Sequence, residues 1–530
     1  MPKKKLVVTE EKKQLQIDSG ILQFTPKGAY YESADEQAKQ IFEMWKQLFE
    51  FDRTLFALVT LLGGTGFSKG AMSHMLLSNP QTSDKALVPA GLSFDYEKNV
   101  IKYNLEKERI PRALKNLMML LGREGFKKVN NSRSRKIIFD FIFDRDVNEI
   151  QGLFLNYKSK LKALLRHAFG KQDLYNILHG NIQSFVNCAG TKYKKYYPFV
   201  LYVFGADVSK VMNHQAFIHF PKIEKYIKLK EAAKALDVEE FKKLMVDMPQ
   251  RTVMGFRNTY KIPIELKNVY EETKVSDREA IQKEAAAKRS GAKVTVNYEN
   301  QDIYDLWKAF YFKLLRGEKE NLGKITDAID NATLKMNKMD IGECCVIVDA
   351  SRSMEGSDTR PLHPFLTSLC ILSVLDNVKE VFYVGGQYLK TDIDGREISA
   401  IVPYNQTDLW RGLVKSIQTG CKNIIVISDG YENSIKGMFS HTYDYFKEAG
   451  YEFNLVHINP VFAADAKAGS SRNLVPDIKA LPVSDYKYLE TELLFTQMLT
   501  NRDMVKKLLV SKYQKLLGGK EKAKWLFSIN

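Results

Sequence analysis

The chain has 530 residues, 45% of them hydrophobic and 27% charged, and a net charge of +16. A single hydrophobic core stops growing at about 250–300 residues, so several domains with cores of their own are expected. There is no apolar run of about 18 residues, and residues 1–14 are too charged for the apolar part of a signal peptide, so a soluble, cytoplasmic protein with no membrane partner is expected.

The basic excess is regional. Residues 1–100 are neutral overall, whereas residues 101–200 hold 20 Lys and Arg against 8 Asp and Glu, a net +12. Residues 201–340 add +4, residues 341–500 carry −6 and residues 501–530 carry +6. Charge concentrated in this way points to a polyanion partner for the first half of the chain. The five cysteines (Cys188, Cys344, Cys345, Cys370 and Cys421) are odd in number, lack CxxC spacing and mostly sit in apolar stretches, which reads as buried free thiols.

Residues 1–30 lack sustained periodicity and read as a terminal arm. At Ser33-Ala-Asp-Glu36 a capping box opens a helix with Ile41, Phe42, Trp45, Leu48 and Phe49 at helical spacing. Further helices are predicted at Arg53 to Leu62, Arg112 to Leu121, Arg135 to Phe143, Val147 to Phe169 and Ile303 to Arg316, several of them ended by glycine. Between them, Leu92 to Tyr96 and Val100 to Asn104 are β-like and flank Glu97-Lys-Asn99, which predicts a hairpin over 92–104. Residues 31–340 are otherwise α-helical, and paired helices over some 300 residues suggest a HEAT-like solenoid or ring. The polar stretch 283–300 reads as an exposed loop.

From Gly342 the pattern changes. Cys344 to Val348, Val381 to Val384, Ile398 to Val402, Ile424 to Ile427 and Phe453 to Ile458 read as short buried strands. Helices at Pro361 to Asp376, Leu409 to Ile417 and Ile435 to Ala449 lie between them, so residues 341–500 predict a doubly wound, mainly parallel α/β sheet. Leu489 to Leu499 and Asp503 to Leu517 follow as helices, the second opening a basic C-terminal segment over 501–530.

Asp349-Ala-Ser-Arg-Ser353 follows the first of these strands at once, where an open α/β sheet presents its carboxyl-end crevice. Together with Val346-Ile-Val and Met354 it resembles the DxSxS metal-ion-dependent adhesion site of von Willebrand factor A domains. Thr407 in Asn405-Gln-Thr-Asp408 and Asp429 in Ile425-Val-Ile-Ser-Asp-Gly430 stand where that family places the rest of the site. The resemblance implies direct ligation by Ser351, Ser353 and Thr407. It implies that Asp349 and Asp429 bind directly or through water, leaving one position for a partner's acidic group. Carboxylate, hydroxyl and water oxygens are hard ligands, suited to Mg²⁺ first and to Mn²⁺ or Ca²⁺ as well. Asn405-Gln406 replaces the small glycines often found before the threonine.

Other motifs carry less. Gly63-Gly-Thr-Gly-Phe-Ser-Lys69-Gly lacks the Gly-Lys-Ser/Thr order of a phosphate loop and follows a helix, so a helix terminus is the better reading. The histidines form no HExxH pair, and nothing in the motifs requires an enzyme.

Within the basic stretch, Arg123, Lys127, Lys128, Arg133, Arg135 and Lys136 cluster around a helix start, whose free N–H groups favour phosphate. Lys158, Lys160, Lys162, Arg166 and His167 continue it, and Lys192-Tyr-Lys-Lys-Tyr-Tyr197, with Lys194 and Lys195, interleaves charge with rings that either stack on bases or pack. A long helical region followed by an A-type domain resembles the TROVE-domain Ro ribonucleoproteins, and Met248-Pro249 followed by Arg257-Asn258 is similar to a segment of that domain. The resemblance implies a HEAT-like ring that binds small noncoding or single-stranded RNA, closed by the A domain, without enzymatic activity. The competing expectation is an assembly protein, such as a virion component, that uses the metal site for protein adhesion.

Overall fold

The computed structural model describes residues 45–517 except 47, 51, 63–65, 80–87, 124, 209–215, 274–295, 300, 337, 359, 394–395, 433, 462–472, 479, 484, 491–492 and 494–501. The arm at 1–30, the capping box at Ser33, most of the 283–300 loop, most of the 489–499 helix and residues 518–530 lie outside the described residues. The described chain forms two compact units: a helical one (45–61, 66–273, 296 and 509–517) and an α/β one (62 and 297–508).

The helical unit contains α1 (Arg53–Val59), α2 (Gly66–Ser78), α3 (Tyr96–Lys107), α4 (Ile110–Met119), α5 (Ser132–Phe143), α6 (Val147–Phe169), α7 (Lys171–Leu178) and α8 (Ile182–Ala189). After a 3₁₀ turn at Thr191–Tyr196 come α9 (Tyr197–Phe204), α10 (Pro221–Ala235), α11 (Val238–Met245), α12 (Gln250–Tyr260) and α13 (Leu266–Glu272). Local chemistry sets many starts. Asn131 and Ser134 close a reciprocal capping box on α5, and Asp146, Asn181 and Asp237 each accept a backbone N–H at the head of α6, α8 and α11. Gly205, left-handed at φ 74°, ends α9. Inside α6 the backbone departs from helical geometry at Tyr157, next to the point where Thr252 Oγ1 donates to the Leu155 carbonyl.

The predicted hairpin over 92–104 is not formed: residues 96–107 are helix α3. Tyr96, Val100, Ile101, Asn104 and Leu105 are buried, a helical period, so packing of that face overrides the β-like local composition. Glu97 is buried in the same helix, clamped by Arg53 and Arg133, which the predicted three-residue turn would have left in water. The Gly-rich stretch before Lys69 leads into α2, a helix that the periodicity does not predict.

The α/β unit begins earlier than predicted. Helices α14 (Ile303–Leu315) and α15 (Leu322–Lys335) belong to it instead of to the helical repeat. The reason is packing: the Tyr311 hydroxyl donates to the Ile401 carbonyl at 2.8 Å and Tyr304 bonds His363 at 2.7 Å. Strand β1 (Cys344–Asp349) is wholly buried, as expected for the interior of a parallel sheet. It pairs in parallel with β2 (Val378–Val384) on one side and β5 (Asn423–Ile427) on the other; β6 (Asn454–Asn459) and β7 (Leu481–Pro482) extend the parallel sheet. Helices α16 (His363–Val374), α17 (Leu409–Gln418) and α18 (Met438–Glu448) alternate with the strands, and Ile347, Leu409, Leu413, Val426 and Phe439 share one core cluster.

Residues 398–402, predicted as one of the alternating sheet strands, instead lie in β4 (Arg396–Pro403), paired antiparallel with β3 (Gly386–Ile393) outside the main sheet. In spatial order the five parallel strands run β2-β1-β5-β6-β7. The direction of winding therefore reverses at β1, and the crevice beyond the carboxyl ends of β1 and β5 is where such sheets bind ligands. A last helix, α19 (Arg502–Leu517), buries Tyr513, whose hydroxyl bonds Ser93 Oγ at 2.7 Å within the helical unit.

Candidate metal centre and basic surface

Asp349 is the last residue of β1, and the β1/β5 register (Val348 beside Ile427) sets Ser428 next to it and Asp429 one residue on. Asp349 Oδ1 accepts the Ser351 backbone N–H at 2.9 Å, which folds the chain back so that Ser351 Oγ lies 3.1 Å from Ser353 Oγ. The other oxygen, Oδ2, accepts from Ser428 Oγ at 2.6 Å. Asp429 Oδ1 accepts the Tyr431 N–H at 2.9 Å, and its carbonyl accepts from Asn459 Nδ2 at the end of β6.

Thr407 arrives on the loop after β4. Tyr404 N–H donates to Ala350 O, Asn405 N–H to Gly385 O and Arg352 N–H to Asn405 O, which stitches this loop to the serine turn. Gly385 makes that approach possible. Its φ is +82°, and a Cβ there would stand 2.9 Å from Gln406 O and 3.0 Å from Ser351 Cα. The small residue that lets the Asn405-Gln406 loop approach the serine turn is thus supplied just after β2.

Asp349, Ser351 and Thr407 are fully buried. No basic side chain pairs with Asp349 among the described residues, and its carboxyl is pushed up to about 7 by burial first and by the nearby Asp429 charge second. Thr407 Oγ1 is buried with no hydrogen-bond partner among the described residues. A buried hydroxyl left unpaired costs about 1–3 kcal/mol, and two neighbouring carboxylates oppose each other's ionisation, so both features fit a bound cation. No group of three or more His, Cys, Asp or Glu gathers for a metal among the described residues. The candidate donors are two carboxylates and three hydroxyls, all hard oxygens.

The basic candidates divide. Arg133 is turned onto buried Glu97 at 3.0 Å, Lys192 onto Asp144 at 3.0 Å and Asp140 at 3.6 Å, and His167 is buried with Nε2 2.8 Å from Val129 O. Arg135 donates to Asn130 Oδ1. Tyr193, Tyr196 and Tyr197 are buried, with Tyr193 OH bonded to Asp140 and Tyr197 OH to Ile177 O, so these rings are packing residues and offer no stacking surface. Arg123, Lys127, Lys128, Lys136, Arg166, Lys194 and Lys195 are exposed, and Lys158, Lys160 and Lys162 half-buried, with no ion pair among the described residues. Lys158 lies below the usual lysine range because of burial first and then the charges of Lys230 and Lys162. The sequence reading missed Lys230, which stands beside the others only because α10 packs on α6.

No family model matches the chain, and no curated protein matches it. Among solved structures, the chain is similar to that of the Deinococcus radiodurans RO (RSR) protein, at 12% identity and a TM-score of 0.43, over 88% of this chain and 96% of that one. No helix among the described residues is long and apolar enough to cross a membrane.

Proposed function

We propose that the chain is a non-enzymatic RNA-binding protein of the Ro type, in which the helical unit, read as a HEAT-like ring, holds RNA and the α/β unit, read as an A-type domain, holds one divalent cation. The observation that carries the metal reading is the buried Thr407 hydroxyl with no partner among the described residues, on a loop hydrogen-bonded to the turn that follows the buried Asp349. Ser351, Ser353 and Thr407 would ligate directly and Asp349 and Asp429 directly or through water, with Mg²⁺ the first choice and Mn²⁺ or Ca²⁺ able to replace it. The bound ion supplies a positive charge that can take an acidic group from a partner. Isothermal titration of Mg²⁺ into the wild type gives heats of binding, and Asp349→Ala abolishes them; equal heats for both overturn the site.

The RNA reading is supported by the basic side chains of the helical unit that no acidic residue among the described ones pairs with, Lys127, Lys128, Lys136, Lys158, Lys162 and Arg166 among them. Affinity for RNA should fall steeply with salt, in proportion to the phosphates contacted. Clean absorbance ratios together with no shift of any small RNA in a gel would remove it.

A second reading, metal-bridged assembly with another protein, is favoured by the mouth of the metal site. Tyr404, Tyr431 and Ile435 are exposed there, and so is Arg352 between the two serines. If this docking operates, EDTA dissociates the complex while nuclease leaves it intact.

A further inference from the structure

Strand β2 is an edge of the parallel sheet: β1 lies on one side, and no strand lies on the other among the described residues. The Ala350 N–H donates to Val384 O, so the Val384 backbone faces β1, and by alternation that of Phe382 does too. Val381 and Tyr383, in between, therefore turn their N–H and C=O groups away from the sheet. No turn, loop or cap hydrogen bond reaches these groups among the described residues. The next strand in sequence, β3, pairs with β4 and does not turn back on β2. The side chains of Val381, Phe382 and Tyr383 are half-buried, and those of Lys379 and Glu380 are exposed. A half-apolar edge with outward backbone groups is a template for one more strand.

The sequence outside the described residues contains a match. An antiparallel strand needs apolar residues opposite Tyr383 and Val381 and, two positions further on, an acidic residue level with Lys379. Leu6, Val8 and Glu10 supply that order, with Val7 opposite Phe382, and no other run in residues 1–44 or 518–530 does. Leu6-Val7-Val8-Thr9 is also strand-prone, with β-branched residues at three of its four positions. Laid parallel, with Leu6 opposite Val381, the same run would set Lys4 level with Lys379, and like charges oppose that pairing. Lys379 also has Glu343 at 3.2 Å, so Glu10 would join an exposed ion pair. The rival in the parallel sense is Glu521, Ala523 and Trp525, but two further lysines interleave them and alanine is a poor strand former. Between Glu10 and the capping box at Ser33, residues 11–32 provide a tether of up to about 70 Å when extended.

We propose that residues 6–10 of the terminal arm add to the sheet as an antiparallel strand on β2, with Val8 opposite Val381, Leu6 opposite Tyr383 and Glu10 level with Lys379. In this register Val8 and Val381 exchange both backbone hydrogen bonds. The proposal is independent of the RNA and metal readings.

The test is hydrogen exchange of the full chain, read by mass spectrometry with fragmentation that resolves the Val381 and Tyr383 amides. Deleting residues 2–11 speeds both by at least about tenfold and leaves the Phe382 amide, which faces β1, unchanged. A synthetic peptide of residues 3–12 added to the deleted protein restores slow exchange. Val8→Pro, which removes the N–H that the Val381 carbonyl accepts, acts like the deletion. Glu10→Lys speeds exchange as well, and combining it with Lys379→Glu slows it again, which reports the register. Fast exchange of both amides in the wild type, or equal exchange with and without residues 2–11, overturns the pairing. Faster exchange only on removal of residues 518–530 assigns the edge to the carboxyl-terminal segment, and protection that depends on protein concentration assigns it to a second copy. Either result also overturns the proposal.

Discussion

Ser428 Oγ donates to Asp349 Oδ2 across 2.6 Å, from the turn after one parallel strand to the last residue of its neighbour. The contact uses one oxygen of a carboxyl whose other oxygen is held by the Ser351 N–H. It therefore fixes the orientation of Asp349 before any ion arrives, at a position where burial and Asp429 both oppose its ionisation.

The first prediction follows from that opposition. With the folded carboxyl raised to about 7, above its ordinary 3.8, the folded chain binds more protons than the unfolded one between these values. Stability without metal is then lost as pH rises through that window. In EDTA at about pH 8, Asp349→Asn should be more stable than the wild type by on the order of 2–4 kcal/mol, and the gain should vanish towards about pH 4. Excess Mg²⁺ should raise the wild-type midpoint in urea and leave Asp349→Asn unmoved. A Mg²⁺ response equal in both proteins contradicts this.

Gly385 gives the second. Alanine there takes on a left-handed backbone and meets the backbone of Gln406 and Ser351, neither of which can move like a flexible side-chain tip. Gly385→Ala should cost about 1–3 kcal/mol of stability and weaken Mg²⁺ binding by at least about tenfold, because the Thr407 loop and the serine turn are forced apart. Denaturation curves and titration calorimetry on the same preparation measure the two effects.

The third prediction separates structural arginine from surface lysine. Arg133 pairs with Glu97, which Arg53 also holds at 2.6 Å in a buried position. Glu97→Gln should destabilise the helical unit by about 3 kcal/mol, because two guanidiniums lose their partner. Arg133→Gln should lower stability and leave the salt dependence of RNA binding unchanged. Lys127→Gln with Lys128→Gln should do the reverse, keeping the midpoint and reducing the salt slope by about 1.4 for a single strand.

How much of this was legible depended on whether the deciding contacts are local. Cys344 to Asp349 is a buried apolar run leading straight into Asp349-Ala-Ser-Arg-Ser353, so strand, turn and ligand types can be read within ten positions. Thr407 and Asp429 are named as candidates by their order along alternating strands. Gly385 is not, since its importance lies in contacts with residues 34 positions before it and 21 after it. The hairpin over 92–104 failed because Val100 and Ile101 favour strands locally, whereas Glu97 is satisfied by arginines 44 and 36 residues away, one on either side in sequence. The same distance effect hides the contact of Tyr226 with Phe256, which meet only after α10 and α12 pack.

The last prediction concerns His457, on β6 behind the Ser428 turn. It is buried, with Nε2 3.1 Å from the Ser428 carbonyl, and burial holds it down at about 4 against an ordinary 6.5, the hydrogen bond offsetting only part of that. The unfolded chain thus binds more protons than the folded one between these values, so the stability this residue contributes is present above about 6.5 and is lost as pH falls towards about 4. The loss should approach about 3 kcal/mol, and His457→Gln, which keeps a donor but does not titrate, should remove it. Subtracting the pH profile of His457→Gln from that of the wild type cancels the opposing contribution of Asp349, so the difference between the two urea midpoints isolates this one ring. A difference that stays flat from about pH 7 to pH 4 would mean that His457 is protonated as easily folded as unfolded, and that β6 opens to water behind the Ser428 turn.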